Sequence, residues 1–397
     1  MTTSSLYDYN LIPELIARQP AVPRDFSRLF VYDTETDEIV FDRFYNLAKY
    51  LPSESFLVMN NTKVIPARVE MRKVSGGKVR ALFLVNELNN DQFSMINFQP
   101  ASPKLPAKGE VRQGRQRGES ISNDQIINKN KIRAFIDRKL SIGDKLFFNS
   151  QYFVTVIDQH EHIFTVEFNF STAELFRVLE KKGTMPIPLY IKNTPLSRDE
   201  LLHKYQTIFA HNKGSAAAPT ASLHFTNRLF KKLEKKGISK EFITLHVGMG
   251  TFAPVTDDQM KQKKLHEEYF EINNNTLHYI DISKSEGKKI VAVGTTVART
   301  LEAFASSKFK DQSAKLKFKN KKERIIGKTD LFIQPGFEFK YVDALITNFH
   351  LPGSSLMMLV EAFLQYKNSK HHLVDLYKIA IKEKFRFYSF GDGMLIR

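Results

Sequence analysis

Short apolar runs set between polar breaks open the chain. Residues 29–32 and 38–41 read as strands, 44–50 as a helical turn and 56–59 as a buried strand. Before them, residues 1–28 read as an extended arm with a short helix, punctuated by Pro13 and Pro23. From Val64 to about Thr172 the pattern alternates. The runs 79–85, 93–98, 145–148, 152–157 and 163–168, separated by turns at Gly76-Gly77 and Gly143-Asp144, predict a small antiparallel barrel or sandwich. A polar stretch, 102–131, interrupts it and reads as a loop.

From Ala173 onward, strands and helices alternate. Helices are expected at 173–182, 198–210, 226–236, 274–286, 297–306, 354–365 and 373–384, and strands at 242–246, 290–293, 330–333 and 344–347. The expected fold is therefore α/β: a mixed-sheet main domain built from both chain ends, residues 1–66 and 173–397, with a small antiparallel β-barrel domain, residues 67–172, inserted into it. Residues 309–324 are Lys-rich and read as a solvated insertion.

Composition adds exclusions. The chain has 397 residues, enough for two domains. It has no cysteine, which removes disulfides, thiolate nucleophiles and Cys-bound metal. No apolar run approaches the ~20 residues of a membrane span, and Met1 to Asn10 lack a signal-peptide core. A soluble cytoplasmic protein is expected. The 33 Phe side chains, with no Trp, read first as packing. A net charge of +16 fits a polyanionic partner as well as it fits a generally basic proteome.

Candidate chemistry gathers where strands end. The segment from Lys213 to Thr226 is rich in small residues and carries Thr220, Ser222 and His224; it reads as a ligand loop or as a turn closed by a Thr226 cap. After the 242–246 strand come His246, Gly248, Gly250 and Thr251, but no dinucleotide fingerprint. His266, Glu267 and Glu268 form an acid/base candidate or, taken alone, an exposed charged loop. Gly294, Thr295 and Arg299 mark a strand-to-helix junction that suits a carboxylate or a simple cap. Thr347, Asn348 and His350 end the last strand. Lys63 and Arg68 either bind an anion or brace a domain crossing. No paired metal-ligand spacing occurs, so no metal is expected.

Taken in order, these residues resemble one family. Tyr7-Asp8-Tyr9, Pro13 to Ala17, Arg24-Asp25 and Ser27-Arg28 look like its opening, and Asn61 to Arg68 like its next block. Tyr205-Gln206-Thr207, the 214–226 loop, the 244–252 block, His266 with Glu268, Val293 to Thr296, Arg299, Leu301-Glu302, the 343–352 block and residues 387–396 follow. The chain thus resembles, from residue 7 to 396, the S-adenosylmethionine:tRNA ribosyltransferase-isomerase family of the queuosine pathway.

The resemblance implies transfer and isomerisation of the ribosyl group of S-adenosylmethionine. The implied acceptor is 7-aminomethyl-7-deazaguanine at the tRNA wobble position, and the products are epoxyqueuosine-tRNA, adenine and methionine. S-adenosylmethionine is then a co-substrate with no tightly bound cofactor, and the partner is tRNA through its anticodon region. No membrane is implied, and a monomer is favoured over an oligomer. The sulfonium acidifies the C5′ protons, so a base must reach them, and adenine needs a proton as it leaves. His246, Glu268, His350 and His224 are the acid/base candidates. Lys63, Thr220, Gly248, Gly250, Thr251, Thr295, Arg299 and Asn348 are the candidates to hold the co-substrate, with Arg299 or Lys63 on its carboxylate. Asn61 stands where the family pattern leads one to expect Asp, and Ser222 where Gly is usual. With the expanded basic stretches 102–131 and 309–324, these departures keep open a divergent paralogue that binds RNA without catalysis or modifies another RNA. A methyltransferase is disfavoured by the absence of an early glycine-rich nucleotide loop.

Overall fold

The computed structural model describes residues 7–88, 130–160, 163–248, 255–309, 319–321 and 323–397. The chain forms two compact units, Ala67–Thr184 and the remainder, Met1–Pro66 with Met185–Arg397.

In the larger unit a ten-stranded sheet has four parallel strands at its centre: β12 (Ser239–His246), β3 (Ser55–Asn60), β14 (Lys289–Val293) and β17 (Ala344–Asn348). Strands covered on both faces are apolar throughout, and every residue of β3 and β17 is buried. Alternate side chains serve opposite cores. Phe56 and Val58 join one cluster, Leu57 and Met59 the other. The flanks are mainly antiparallel. On one side β18 (Gly393–Ile396) pairs with β17 and runs parallel to β1 (Arg28–Asp33), which pairs with the edge strand β2 (Glu38–Arg43). Thus strands from both chain ends lie side by side in one sheet. On the other side lie β13 (Lys264–Asn273), β16 (Arg324–Leu331) and β15 (Lys319–Lys321). A separate parallel pair, β4 (Thr62–Val64) and β11 (Asn212–Ser215), lies just beyond β3 in sequence.

The helices of this unit are α2 (Arg198–Lys204), α3 (Asn227–Lys235), α4 (Asp257–Gln262), α5 (Asn274–Ser285), α6 (Thr295–Phe309), α7 (Ser355–Tyr366) and α8 (Leu373–Lys382). Helix α7 is buried from Ser355 through Leu364, so its apolar character runs all round it. After α8 the chain returns to the sheet through Gly391. A Cβ there would sit 2.4 Å from the Arg386 carbonyl oxygen and 2.6 Å from the Phe387 carbonyl carbon. Backbone cannot step aside cheaply. Gly391→Ala is expected to lower unfolding stability by about 1–3 kcal/mol, read as a lower chemical-denaturation midpoint; an unchanged midpoint would contradict this packing.

The smaller unit is a closed antiparallel barrel in the order β10-β7-β6-β5-β8-β9, made from β5 (Arg68–Lys73), β6 (Lys78–Phe83), β7 (Lys131–Ile136), β8 (Lys145–Phe147), β9 (Phe153–His160) and β10 (Ile163–Phe168). Closure leaves no free sheet edge. In β7, Ile132 and Ala134 are buried while Lys131 and Arg133 are exposed, the alternation of a small filled barrel. Helix α1 (Thr172–Lys182) belongs with this barrel. Ser171 caps it by accepting from the Glu174 N–H, and the Lys182 ammonium donates to the Phe148 carbonyl at 2.6 Å. Thr184 then exchanges backbone bonds with Arg68.

The boundary expected at 172 therefore falls at 184, because the buried stripe Leu175, Phe176, Val178 and Leu179 packs α1 within this unit. Other expectations shift as well. The helix expected over 198–210 ends at Lys204. The strand expected over 330–333 is β16, ending at Leu331. The charged His266-Glu267-Glu268 segment lies inside β13 and is no loop. The run 93–98, nearly all of 102–131 and most of 309–324 lie outside the described residues.

Candidate active site

The parallel strands β12, β3, β14 and β17 all end at the same edge of the sheet, and antiparallel neighbours begin there. The edge consequently collects His246, Asn60, Gly294 and Asn348 from strand ends and Ser27 and Asp392 from strand starts. A cleft opens above β14 and β17. Thr220, Gly294, Thr295, Asn348, His350 and Ser389 line it, together with Tyr190 and Tyr388.

Each wall has a local cause. Gly294 adopts φ of +99°, which lets β14 turn directly into α6 and presents the helix's first turn to the cleft. Asn348 accepts a hydrogen bond from the Thr220 hydroxyl at 2.9 Å and directs its amide toward His224 Nε2 at 3.3 Å. Tyr388 is a non-glycine residue at φ of +70°, a costly conformation. Its N–H bonds the Phe349 carbonyl at 3.1 Å and its carbonyl accepts from Gly391 at 2.9 Å, which hold it there. Its ring stands 4.8 Å from that of Tyr190, whose hydroxyl meets Ser389 Oγ at 2.5 Å.

His350 is fixed through its backbone. The Tyr377 hydroxyl accepts from its N–H at 2.9 Å, and the Tyr9 hydroxyl donates to its carbonyl. Its Nε2 lies 2.7 Å from Thr347 Oγ1, and that hydroxyl is within 3.4 Å of the Asn348 carbonyl. If the hydroxyl donates to the carbonyl, it accepts from Nε2–H, and the tautomer leaves the Nδ1 lone pair available. Burial pushes the imidazole down to about 3, so the ring is neutral at physiological pH.

The other acid/base candidates are not among the residues lining the cleft. His224 is buried: Nδ1 meets Ser27 Oγ at 2.8 Å, Nε2 faces Asn348, and the ring lies 4.6 Å from that of Phe44. His246 Nδ1 meets Thr62 Oγ1 at 2.8 Å, its ring stacks on Tyr269 at 5.7 Å, and a Cβ on Gly214 would come within 2.9 Å of it. Glu268 forms a buried ion pair with Arg299 and accepts from the Gly248 N–H at 3.0 Å. Arg299 is thus drawn to a carboxylate of the protein, and burial lowers its guanidinium to about 10, still charged at neutral pH. Neither this pair nor His246, Gly248 or Lys63 is among the residues lining the cleft. Gly250 and Thr251 lie outside the described residues.

Sequence reasoning missed Ser27, Asn60, Thr62, Tyr190, Tyr388, Ser389 and Asp392. Asn60, fully buried, latches β3 to β12 by accepting from Leu245 N–H at 3.1 Å and donating to the Leu245 carbonyl at 3.0 Å. Asp392, also buried, accepts from the Arg28 and Arg386 backbone N–H groups at 3.0 and 2.8 Å. The signal for Tyr388 and Ser389 was their place in the 387–396 block. Asn61 accepts from the Thr244 hydroxyl at 2.7 Å, a bracing role that a neutral amide fills. Among the described residues no group of three or more His, Cys, Asp or Glu is placed to hold a metal, and no helix is long and apolar enough to cross a membrane.

Three desolvated histidines fix a pH dependence. Burial holds His224 and His246 near 4 and His350 near 3, against 6.5 for a free imidazole. The unfolded chain binds protons that the folded chain refuses, so stability is full above about pH 6.5 and falls on acidification. Each histidine contributes up to about 1.4 kcal/mol per pH unit between its two pKa values. His224→Gln should therefore flatten the dependence of the denaturation midpoint over about pH 4.5–6 by about one proton; an unchanged slope would contradict the buried neutral state.

The chain matches the model of the queuosine biosynthesis protein family over residues 4–396. It is 38% identical to the S-adenosylmethionine:tRNA ribosyltransferase-isomerase of Thermoanaerobacter sp. (strain X514) over 398 residues, covering 100% of both chains. It is likewise 38% identical to that of Thermotoga maritima, with 99% of each chain covered. A crystal structure of the S-adenosylmethionine tRNA ribosyltransferase from Thermotoga maritima aligns over 98% of this chain and 99% of that one, with 29% identity and a TM-score of 0.48.

Proposed function

Since the chain belongs to the S-adenosylmethionine:tRNA ribosyltransferase-isomerase family of queuosine biosynthesis, we propose that the cleft above β14 and β17 is where it binds S-adenosylmethionine and opens it. The enzyme transfers and isomerises the ribosyl group of that co-substrate onto tRNA. The acceptor is the exocyclic amine of 7-aminomethyl-7-deazaguanine at the wobble position, which gives epoxyqueuosine-tRNA, adenine and methionine.

The chemistry asks for few charged groups and several positioned neutral ones. S-adenosylmethionine brings its own sulfonium, and its electron withdrawal makes C5′–H acidic. No Lys, Arg, Asp or Glu is among the residues lining the cleft and His350 is neutral, so no fixed cation opposes the sulfonium. The hydroxyls of Thr220 and Thr295 and the amide of Asn348 suit the ribose and methionine polar groups. The first turn of α6 suits the methionine carboxylate, and the rings of Tyr190 and Tyr388 suit the adenine face. His350 Nδ1 takes the C5′ proton, and the imidazolium so formed is the nearest acid for departing adenine. His224, His246 and the Glu268–Arg299 pair position the strand ends and move no proton.

The observation that carries this reading is the convergence, at one sheet edge, of an unprotonated imidazole with hydroxyls, an amide and a helix start. Incubation with S-adenosylmethionine and tRNA bearing the aminomethyl base tests it. Free adenine and a ribosyl mass gain on the tRNA are expected. Adenosylhomocysteine in place of adenine would point to methyl transfer, and neither product would point to a binding protein without catalysis.

A further inference from the structure

We infer that the exposed face of α3, together with Phe26 and Tyr45, is the docking surface for the sugar-phosphate backbone and an unstacked base of the tRNA; this rests on the tRNA-modifying reading above. Arg228, Lys231, Lys232 and Lys235 recur at i, i+3, i+4 and i+7, one stripe of a helix, while Leu229 and Leu233 bury the opposite stripe. All four cationic side chains are exposed. Among the described residues no carboxylate pairs with Lys231, Lys232 or Lys235, and the Lys232 ammonium donates only to the Tyr45 carbonyl, at 3.2 Å.

Arg228 is different in kind. Its guanidinium is held by the fully buried Asp25 at 3.0 and 2.6 Å, and the same carboxylate accepts from the Thr226 hydroxyl that caps the helix at 2.8 Å. So anchored, the guanidinium lies 5.2 Å from the centre of the Phe26 ring and 5.8 Å from that of Tyr45, and the Lys232 ammonium lies 5.1 Å from Tyr45. Phe26 is 42% exposed. A preorganised guanidinium plane, a part-exposed aromatic pair with Phe26 and Tyr45 rings 5.1 Å apart, and a row of cations without carboxylate partners among the described residues meet the needs of a single-stranded RNA loop: stacking for a splayed base and charge for its phosphates.

The helix and the cleft are also linked through the interior. Phe26 adjoins Ser27, whose hydroxyl bonds His224, and His224 faces Asn348 on the cleft wall. Helix α3 itself begins where the 213–226 segment ends.

The test compares a Lys231→Glu/Lys232→Glu/Lys235→Glu variant with a control of equal charge change on another exposed region, Lys370→Glu/Lys378→Glu/Lys382→Glu. The probe is a tRNA carrying the aminomethyl base, with affinity measured across roughly 50–200 mM salt. The α3 variant is expected to bind about tenfold or more weakly, and its plot of log affinity against log salt is expected to lose about 2–3 units of slope. Its KM for tRNA rises while its KM for S-adenosylmethionine does not. Phe26→Ala is expected to weaken binding about five- to hundredfold with the salt slope kept, because stacking carries no counterions. Unchanged affinity and slope in the α3 variant, or an equal loss in the control, would overturn the inference. Binding with these signatures by an enzyme that releases no adenine would instead sink the proposed reaction and leave the docking surface standing.

Discussion

His350→Ala is expected to slow adenine release about 10²–10⁴-fold, the usual worth of a positioned acid/base group. The fold should survive the change. The two bonds that hold this residue, from its N–H to the Tyr377 hydroxyl and from the Tyr9 hydroxyl to its carbonyl, involve only backbone atoms of residue 350. The lost imidazole sits at a cleft wall, where water can fill the space and satisfy Thr347. The effect should therefore lie in kcat, with the KM for tRNA unchanged. His246→Ala should behave differently. Its ring packs on Tyr269 and against Gly214, so truncation costs stability as well as rate. If His350→Ala retains full turnover, the proton passes elsewhere and the assignment fails.

Glu268→Ala is expected to destabilise the protein by about 3–5 kcal/mol. The substitution leaves the Arg299 guanidinium buried without its carboxylate and the Gly248 N–H without its acceptor. An uncompensated buried charge is more costly than the pair is stabilising, so exchanging both partners for apolar residues of similar volume should cost far less than the single change. Glu268→Leu/Arg299→Met should accordingly recover most of the loss in a denaturation midpoint. A Glu268→Ala midpoint equal to that of the parent would contradict the buried pair. The pair also separates two roles: if the double variant folds yet turns over slowly, Glu268 matters for placing the end of β12, as a positioning residue does.

Much of this was legible in advance. The central strands announced themselves because both faces are covered, which leaves uninterrupted apolar runs such as 56–59 and 344–346. The barrel announced itself by alternation. Strand β13 did not, because His266, Glu267 and Glu268 read as solvent-facing. Glu268 is buried with Arg299, 31 positions away, a pairing that no local pattern carries. His224 was named as an acid/base candidate without its partner in view: Ser27 lies 197 positions earlier, a pairing that no local pattern carries either. The left-handed backbone of Tyr388 had no compositional sign, since glycine is the residue that usually marks it. The division at 184 was missed because the polar face of α1 disguised a helix that packs with the barrel unit.

The measurement that bears most directly on the account is a structure of the enzyme with S-adenosylmethionine bound. The adenosyl group is expected in the cleft, within hydrogen-bonding distance of Thr295 and Asn348, with the adenine against Tyr190 and Tyr388. The C5′ carbon is expected about 3–3.5 Å from His350 Nδ1, the separation of a near-attack geometry. A co-substrate seated away from β14 and β17, or bound there with C5′ turned from His350, would contradict the central claim.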